Sequence, residues 1–325
     1  MSILVTGGAG YIGSHTVKEL VNQGKDVIVL DNLQKGHKKA IDYVNFIKGD
    51  ISDENLVSKV IKEYHIDRVI HFAADSLVGE SMIDPSKYYN NNVIKTIKLL
   101  DTMIQNHVKK IVFSSTAATY GEPKEVPIKE DFETNPTNVY GKTKLMIESI
   151  LKDYDMAYGL KYISLRYFNA AGAYESGEIG EDHNPETHLI PIIMQVLLGK
   201  RDKIYIYGDD YDTVDGTCIR DYIHVTDLSN AHILALKALE NGSDSSIYNL
   251  GCGEGYSVKE VMHTVEKVTG LKVNREMAQR RAGDPAKLIA SSQKIKKELG
   301  WNPKYSLYDI IKTAWKWHKN HPNGY

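Results

Sequence analysis

The chain has 325 residues, of which 42% are hydrophobic and 25% charged, a composition that excludes disordered and fibrous proteins. Its 40 Lys and Arg are balanced by 42 Asp and Glu, so a net charge of -2 provides no cation excess for general nucleic-acid binding. The two cysteines, Cys218 and Cys252, are too few for a disulfide framework.

The beginning of the chain lacks the basic start and the apolar core of a signal peptide. The most apolar stretch, at 189–198, contains Pro191 and Gln195 and is far shorter than the ~20 residues that span a bilayer. We therefore expect a soluble, cytoplasmic protein with neither a membrane nor a nucleic acid as partner.

The first half of the chain alternates short apolar runs with spacers of helix length. The runs lie at 3–7, 26–31, 44–50, 68–74, 110–115 and 162–169. They are rich in β-branched residues and do not alternate with polar ones, which is typical of parallel strands covered on both faces. The pattern predicts an α/β fold, a doubly wound parallel sheet of the Rossmann type.

After about residue 170 the sequence becomes rich in Gly, Asn, Pro and Asp, which indicates loops. Helical spacing returns at 224–239 and 257–270, and 247–251 is another candidate strand. We predict a Rossmann domain over 1–170, to which segments of about 220–250 return. Residues 171–325 would mainly form a smaller C-terminal α/β lobe that binds the substrate.

A glycine motif follows the first predicted strand. Gly7, Gly10 and Gly13 precede an amphipathic segment, a context typical of dinucleotide binding. Asp31, at the end of the second run, is placed to accept hydrogen bonds from an adenosine ribose, which favours NAD over NADP. The alternative is an ordinary glycine turn with a solvated Asp31. Asp50 either recognises adenine or caps a helix.

Tyr140 and Lys144 share one face if their segment is helical, and Asn138 is a candidate cap for that helix. A tyrosine that acts near neutral pH needs its pKa of about 10 lowered, for which a nearby ammonium is suitable. Thr116 follows the fifth run, at the sheet edge where ligands bind. The alternatives are a surface Tyr/Lys contact and a hydroxyl that only caps backbone.

Motifs along the whole chain carry a family resemblance: GGAGYIGSH, DNL, HFAA, VGES, Tyr-x3-Lys, RYFN, RDYIHVTDL, YNLG, RRAGD and HPNGY. With them the sequence resembles the UDP-glucose 4-epimerases, a branch of the extended short-chain dehydrogenase/reductase family. The resemblance implies an NAD-dependent isomerase of galactose metabolism. Tyr140 would take the proton of the sugar 4-hydroxyl while hydride leaves C4 for NAD, and hydride would return to the opposite face of the 4-keto sugar.

The resemblance also implies individual roles. Thr116 would hydrogen-bond the reacting oxygen, and Lys144 would hold the ribose and lower the pKa of Tyr140. The implied cofactor contacts are Gly7, Gly10, Tyr11, Ile12, Gly13, Asp31, Asn32, Asp50, Ile51, Phe72, Ala73, Ala74, Asn91, Tyr140, Lys144 and Phe168. The implied contacts to the UDP-hexose are Thr116, Asn169, Leu189, Tyr207, Arg220, Arg281, Asp284 and Leu288.

Two arginines suit a diphosphate, because each guanidinium can bind phosphate oxygens in pairs. The alternatives are an ion pair of Arg220 with Asp221 and a solvated Arg281.

Leu288 stands where some members restricted to plain hexoses have Tyr, so we expect UDP-N-acetylglucosamine and UDP-N-acetylgalactosamine to be accepted as well.

Two further positions depart from the family pattern. Ser76 replaces a frequent Lys, so one cofactor contact is lost and NAD retention is expected to be weaker. His188 replaces an Asn and either contacts the substrate or only packs.

Other functions remain as alternatives. A sugar-nucleotide 4,6-dehydratase would have Asp-Glu after the active-site Thr, where this chain has Ala117-Ala118. A net dehydrogenase would consume external NAD, and an NAD-sensing regulatory protein would not turn over substrate.

No metal site is predicted, because the 12 histidines are scattered without carboxylate or Cys partners at ligand spacing. The apolar stripe of 88–105 either pairs two chains or packs within one, and the resemblance favours a homodimer.

Overall fold

Seven parallel strands form the central sheet of the computed structural model, which describes residues 1–281 and 284–325. In chain order the sheet strands are β1 Ser2–Thr6, β2 Val27–Asp31, β3 Asn45–Lys48, β4 Ile66–His71, β5 Lys110–Ser114 and β6 Lys161–Tyr167, completed by the later strand Ser246–Leu250. Each of the six early apolar runs, and the run at 247–251, thus contains a strand of the sheet.

The strand order explains where a ligand would bind. Across the sheet the order is 246–250, β6, β5, β4, β1, β2, β3. The chain moves outwards from β1 to β3 and then returns to the other side of β1 with β4, so the switch point lies between β1 and β4. In open α/β sheets ligands bind outside the carboxyl ends of the strands at this point. The predicted doubly wound Rossmann sheet is confirmed.

Helices cover both faces of the sheet. The helices are α1 Tyr11–Asn22, α2 Glu54–Glu63, α3 Val78–Ile83, α4 Pro85–Tyr88, α5 Lys95–Gln105, α6 Val139–Tyr158, α7 Leu189–Leu197, α8 Val225–Glu240, α9 Val258–Thr269, α10 Gln293–Leu299 and α11 Leu307–Asn320. On one face α1 and α8 contribute Val17, Leu20 and Leu236 to the core, and on the other face α2 and α5 contribute Val57 and Leu99. Burial on both faces accounts for strands that are apolar throughout.

The apolar stripe of 88–105 is used within the chain. A π-helical turn, Tyr89–Ile94, joins α4 to α5, and Leu99, Leu100 and Met103 of α5 are fully buried against the sheet. Packing within the chain therefore accounts for these stripe residues.

The later part of the chain adds small sheets beside the carboxyl ends of the large one. Their strands are β7 Asn169–Ala171, β8 Ile204–Tyr207, β9 Ile219–Arg220, β10 Tyr222–His224, β12 Tyr256–Ser257, β13 Arg275–Ala278 and β14 Lys287–Leu288, and Ser246–Leu250 is β11. The run at 162–169 does not remain one strand, because β6 ends at Tyr167 and Asn169 pairs with Tyr222 in another sheet. No helix of the described ranges is long and apolar enough to cross a membrane.

Candidate active site

The turn between β1 and α1 needs glycine for steric reasons. Gly7 has a φ of +71°, and a Cβ there would lie 2.5 Å from the backbone N of Ala73. A Cβ on Gly13 would lie 2.3 Å from the backbone O of Gly7. Helix α1 begins at Tyr11 without a side-chain cap, so its first N–H groups can bind an anion such as a pyrophosphate.

Asp31 is fixed beside this turn at the end of β2. Its carboxylate accepts hydrogen bonds from the N–H of Ala9 (3.0 Å) and of Leu33 (2.8 Å). Burial raises the pKa of Asp31, and these two bonds oppose the rise. The side chain is only 8% exposed, so the alternative of a solvated loop acid is wrong.

Asp50 is held by neighbouring side chains. It accepts hydrogen bonds from Lys95 Nζ (2.6 Å) and Ser52 Oγ (2.7 Å). Burial acts to raise the pKa of Asp50, but the bonds from Lys95 and Ser52 outweigh it and lower the pKa to about 2. The helix-cap alternative is wrong, because Asp53 caps α2 by accepting from Leu56 N.

Tyr140 and Lys144 lie one turn apart on α6, which Asn138 caps by accepting from Gly141 N at 2.8 Å, as the sequence predicts. Both side chains are buried, so the surface-contact alternative is wrong. Lys144 Nζ donates to the backbone O of Ser114 (2.8 Å) and lies 6.0 Å from the centroid of the Tyr140 ring. The sheet edge at Ser114 thus fixes the ammonium beside the phenol.

The pKa shifts of this pair correct one expectation. Burial raises the pKa of Tyr140 to about 12, and a hydrogen bond with Thr116 opposes part of the rise. Burial lowers the pKa of Lys144 to about 7, against the charge of Glu148. In the protein alone the pKa of Tyr140 is therefore raised rather than lowered, because desolvation outweighs the hydrogen bond with Thr116. A positively charged group on a ligand bound beside Tyr140 would lower the pKa of Tyr140.

All the residues assigned above to the cofactor line one cavity of about 310 Å³, together with Thr116 and Asn169. Ser76 and His188 lie in the same lining. Lining residues that sequence analysis did not assign to the cofactor include Gln34, Lys35, Asp75, Ser114, Tyr167, Glu181, His183, Asn184 and Pro185. Tyr167 lies in the RYFN motif, which could have indicated it, whereas nothing in the sequence marked the loop at 181–185.

The remaining sugar-nucleotide candidates form a second group. Arg220 makes an ion pair with Asp284 rather than Asp221, and β14 places Leu288 in register with Arg220. The Arg281 guanidinium lies 3.9 Å from the centroid of the Tyr207 ring. Of the RRAGD motif, residues 282–283 lie outside the described residues.

Asn169 connects this group to the cavity. Its Nδ2 donates to the backbone O of Asp221 (3.0 Å), next to Arg220, while its side chain lines the cavity. Leu189, the first residue of α7, directly follows His188 of the lining. The structure thus brings the cofactor and sugar-nucleotide candidates into neighbouring positions.

A histidine–carboxylate cluster corrects a second expectation. Glu181, His183, Glu186 and His188 place one potential ligand atom each within 4.8 Å of one another. The prediction that the histidines lack carboxylate partners at ligand spacing is therefore wrong for His183 and His188. The site was not predicted because the four residues lie in an irregular loop, with a spacing that matches no common metal-binding motif. Burial acts to lower the pKa values of both histidines, but the carboxylates raise them to about 9 for His183 and about 10 for His188.

The cavity fits NAD in its donor and acceptor groups. The glycine turn admits a pyrophosphate close to the backbone, Asp31 lies where a ribose would follow, and Tyr140 and Lys144 lie at the far end by Ser114.

Comparison with known proteins agrees with this arrangement. Residues 3–251 match the NAD dependent epimerase/dehydratase family.

A UDP-glucose 4-epimerase of Halalkalibacterium halodurans is 60% identical over 100% of this chain and 98% of the relative. The crystal structure of UDP-glucose 4-epimerase from Bifidobacterium longum in complex with NAD+ and UDP is 42% identical, covers 100% of both chains and has a TM-score of 0.94. The UDP-Glc/GlcNAc 4-epimerase of Campylobacter jejuni is 46% identical over 98% of this chain and 99% of its own, with a TM-score of 0.86. The predicted family resemblance is confirmed, and the chain belongs to the NAD dependent epimerase/dehydratase family.

Proposed function

We propose that this protein is an isomerase that interconverts UDP-glucose and UDP-galactose by inverting carbon 4 of the hexose. The observation that carries the proposal is the convergence of Thr116, Tyr140 and Lys144 in the cavity that also contains the glycine turn and Asp31. A proton-transfer group therefore shares one cavity with a dinucleotide site. The high identity to UDP-glucose 4-epimerases supports the same conclusion.

The side chains divide the work at the sugar 4-hydroxyl. NAD, when bound, supplies the acceptor and then the donor of the hydride at C4. The Tyr140 phenolate takes the hydroxyl proton and, as the phenol, later returns it to the sugar oxygen, and Thr116, hydrogen-bonded with Tyr140, orients the reacting oxygen. Lys144, anchored on Ser114 O, holds the ribose and places positive charge near the phenolate. Tyr140 is only 9% exposed, so little of its side chain contacts bulk water.

Two arginines would hold the diphosphate of the substrate. Arg220 at the end of β9, kept in place by Asp284, and Arg281, stacked on Tyr207, present guanidinium groups from separate segments of the chain. Asn169 and Leu189 would contact the nucleotide sugar between them and the cavity. Binding through the diphosphate leaves the hexose free to turn, so that either face of C4 can meet the cofactor.

The other enzyme classes have less support. Elimination by a 4,6-dehydratase needs an additional acid and base, but Ala117 and Ala118 follow Thr116 and form a short turn. A net dehydrogenase would consume external NAD, and an NAD sensor would have no use for the buried Tyr140.

A wider substrate range follows from Leu288. Its side chain is smaller than the Tyr of some hexose-restricted members, and it is only partly buried beside Arg220. We propose that the pocket also admits UDP-N-acetylglucosamine and UDP-N-acetylgalactosamine. The Campylobacter jejuni relative is named for both UDP-Glc and GlcNAc.

The organisation of the chain is also a proposal. Residues 1–170, with β11 and α8, would hold NAD, and most of 171–325 would hold the UDP-sugar.

We further propose a cytoplasmic homodimer. The two free cysteines suit a reducing compartment, and Ile94 and Met146, which are both exposed, offer apolar surface to a second copy.

The direct test is incubation of the purified chain with UDP-galactose and no added NAD. We expect UDP-glucose to form, identified by NMR from the configuration at C4. Product that appears only in proportion to added NAD would indicate a net dehydrogenase, and a 4-keto-6-deoxy product would indicate a dehydratase.

A further inference from the structure

We propose that Glu181, His183, Glu186 and His188 form a binding site for one divalent transition-metal ion of the zinc type. These side chains belong to the loop between β7 and α7, at the rim of the cofactor cavity. None of them has a role in the proton transfer at Tyr140. Two imidazole nitrogens with two carboxylate oxygens form a ligand set that suits Zn²⁺.

The side chains of the cluster lie close enough together to surround one ion, with one potential ligand atom of each within 4.8 Å of the others. His188 Nδ1 lies 2.9 Å from Glu181 Oε1 and 3.0 Å from Glu186 Oε1. His183 Nδ1 lies 3.2 Å from Glu181 Oε1 and 3.7 Å from Glu186 Oε2. In a regular tetrahedron, metal–ligand bonds of about 2.0–2.2 Å separate the ligand atoms by about 3.3–3.6 Å. Three of the observed separations are up to 0.4 Å shorter than this range and one is 0.1 Å longer, so small side-chain shifts would bring the four residues to tetrahedral spacing.

The burial of the two carboxylates also supports a metal site. Glu181 and Glu186 are 4% and 7% exposed, which is rare for carboxylates unless they are paired or bind a metal. His183 Nδ1 is buried and makes no hydrogen bond, although Glu181 Oε1 is near. A cation bound between these atoms would displace the protons of the two histidines, bind their Nδ1 atoms and take over the neutralisation of both carboxylates.

The loop backbone is held in place from several sides. Lys35 Nζ donates to Asn184 O (3.0 Å), and Trp317 Nε1 donates to Glu181 O (3.1 Å). The terminal Tyr325 donates its backbone N–H to Asp182 Oδ2 (3.2 Å). The ligands are therefore arranged before the metal binds, which reduces the entropic cost of binding. The ion would fix the cavity rim to the start of α7, where Leu189 follows His188.

Zinc binding to the untagged full-length chain tests the proposal. The protein is treated with EDTA, dialysed and titrated with ZnCl2 by isothermal calorimetry, with metal content measured by mass spectrometry. We expect one Zn²⁺ per chain. Replacement of Zn²⁺ by Co²⁺ should give the intense visible absorption of a tetrahedral site, a result that needs no variant.

Two variants remove single ligands while preserving local structure. In Glu186→Gln the amide oxygen can still accept from the backbone N–H of Thr187 and His188. His183→Asn keeps a polar atom near the position of Nδ1. The matched control is Glu178→Gln, which removes a carboxylate of the same loop that pairs with Lys18 outside the cluster. We expect at least a tenfold loss of zinc affinity in the first two variants and none in the control.

Circular dichroism and thermal melting establish that each variant is folded. Absence of stoichiometric zinc binding in the wild-type chain, or a weak octahedral cobalt spectrum, would overturn the proposal. Equal affinity in folded Glu186→Gln would also overturn it. The four residues would then form only an ion-pair network.

Discussion

Burial makes the phenol of Tyr140 harder to ionise, although the proposed reaction needs the phenolate. Its pKa is raised from 10.0 to about 12, which corresponds to a cost of about 3 kcal/mol for forming the phenolate. The Lys144 ammonium is itself desolvated, with its pKa lowered to about 7. Positive charge on a ligand beside Tyr140 would lower its pKa again, so we expect proton transfer to be favoured when the cavity is occupied.

Tyr140→Phe removes the proton-transfer group and keeps the ring that packs in the cavity. We expect the epimerisation rate to fall about 10²–10⁴-fold, with NAD binding retained. The rate is measured by NMR and bound NAD by absorbance after release. Tyr158→Phe, an exposed change on the same helix α6, is the control and should have no effect. A Tyr140→Phe protein with an undiminished rate would identify a different base.

Leu288→Tyr tests the proposed size of the sugar pocket. The added ring should exclude an N-acetyl group at a cost of about 1–3 kcal/mol, roughly a 5- to 150-fold loss of kcat/KM for UDP-N-acetylglucosamine. Turnover of UDP-glucose should change much less. Lys287→Tyr, on the exposed neighbouring residue of β14, serves as the control. A wild-type chain that does not turn over the acetylated sugar would remove this part of the proposal.

Among the elements, the turn before α1 has the strictest sequence requirement. A methyl group in Gly13→Ala would lie 2.3 Å from the backbone O of Gly7, so the backbone has to move. We expect a loss of about 1–3 kcal/mol in the free energy of unfolding, together with a loss of NAD affinity.

Urea unfolding and NAD titration measure both effects of Gly13→Ala. Gly79→Ala in α3 is the matched control, because nothing lies within 4 Å of its added Cβ. Its stability should be unchanged or slightly increased, since Ala favours helices. Normal NAD binding in Gly13→Ala would show that the turn does not hold the pyrophosphate.

The strands of the large sheet could be predicted because burial on both faces leaves a continuous apolar signal. The small sheets could not be predicted. β9, β12 and β14 contain two residues each, too few for any periodicity, and pairing between distant segments defines them. The end of β6 at Tyr167 was missed for a similar reason, since Asn169 leaves the sheet to pair with Tyr222. Only tertiary contacts determine these boundaries.

For the molecule as a whole, buried neutral histidines should control stability in acid. Burial lowers the pKa of His232 to about 4, although its Nδ1 bonds to Leu228 O at 2.8 Å. His15, His71 and His224 have pKa values lowered in the same direction, also by burial. The unfolded chain, with histidine pKa values near 6.5, binds these protons first. The stability present above pH of about 6.5 is therefore lost as the pH falls towards 4.

His232→Asn tests this linkage, because asparagine can donate to Leu228 O but does not titrate. Between pH 6.5 and 5 each such histidine contributes a slope approaching about 1.4 kcal/mol per pH unit. Urea unfolding at several pH values should show a slope reduced by about that amount in His232→Asn. The exposed His107→Asn should keep the wild-type slope. Equal slopes in all three proteins would contradict the assignment.

The cofactor candidates could be found from sequence because they follow strands whose carboxyl ends meet at one edge. The loop carrying Glu181 and His183 could not be found in this way. It lies about 170 residues from the glycine motif in sequence, and its path over the cavity depends on contacts with Lys35, Trp317 and Tyr325. Such contacts between distant parts of the chain leave no local pattern.

The fate of the hydrogen at C4 tests the central claim most directly. UDP-galactose that carries deuterium at C4 is incubated with the purified protein in ordinary water without added NAD, and the product is examined by NMR. We predict UDP-glucose with the deuterium still at C4, because the hydride returns to the carbon it left. Deuterium lost to the solvent, or a product that forms only in proportion to external NAD consumed, would contradict the account.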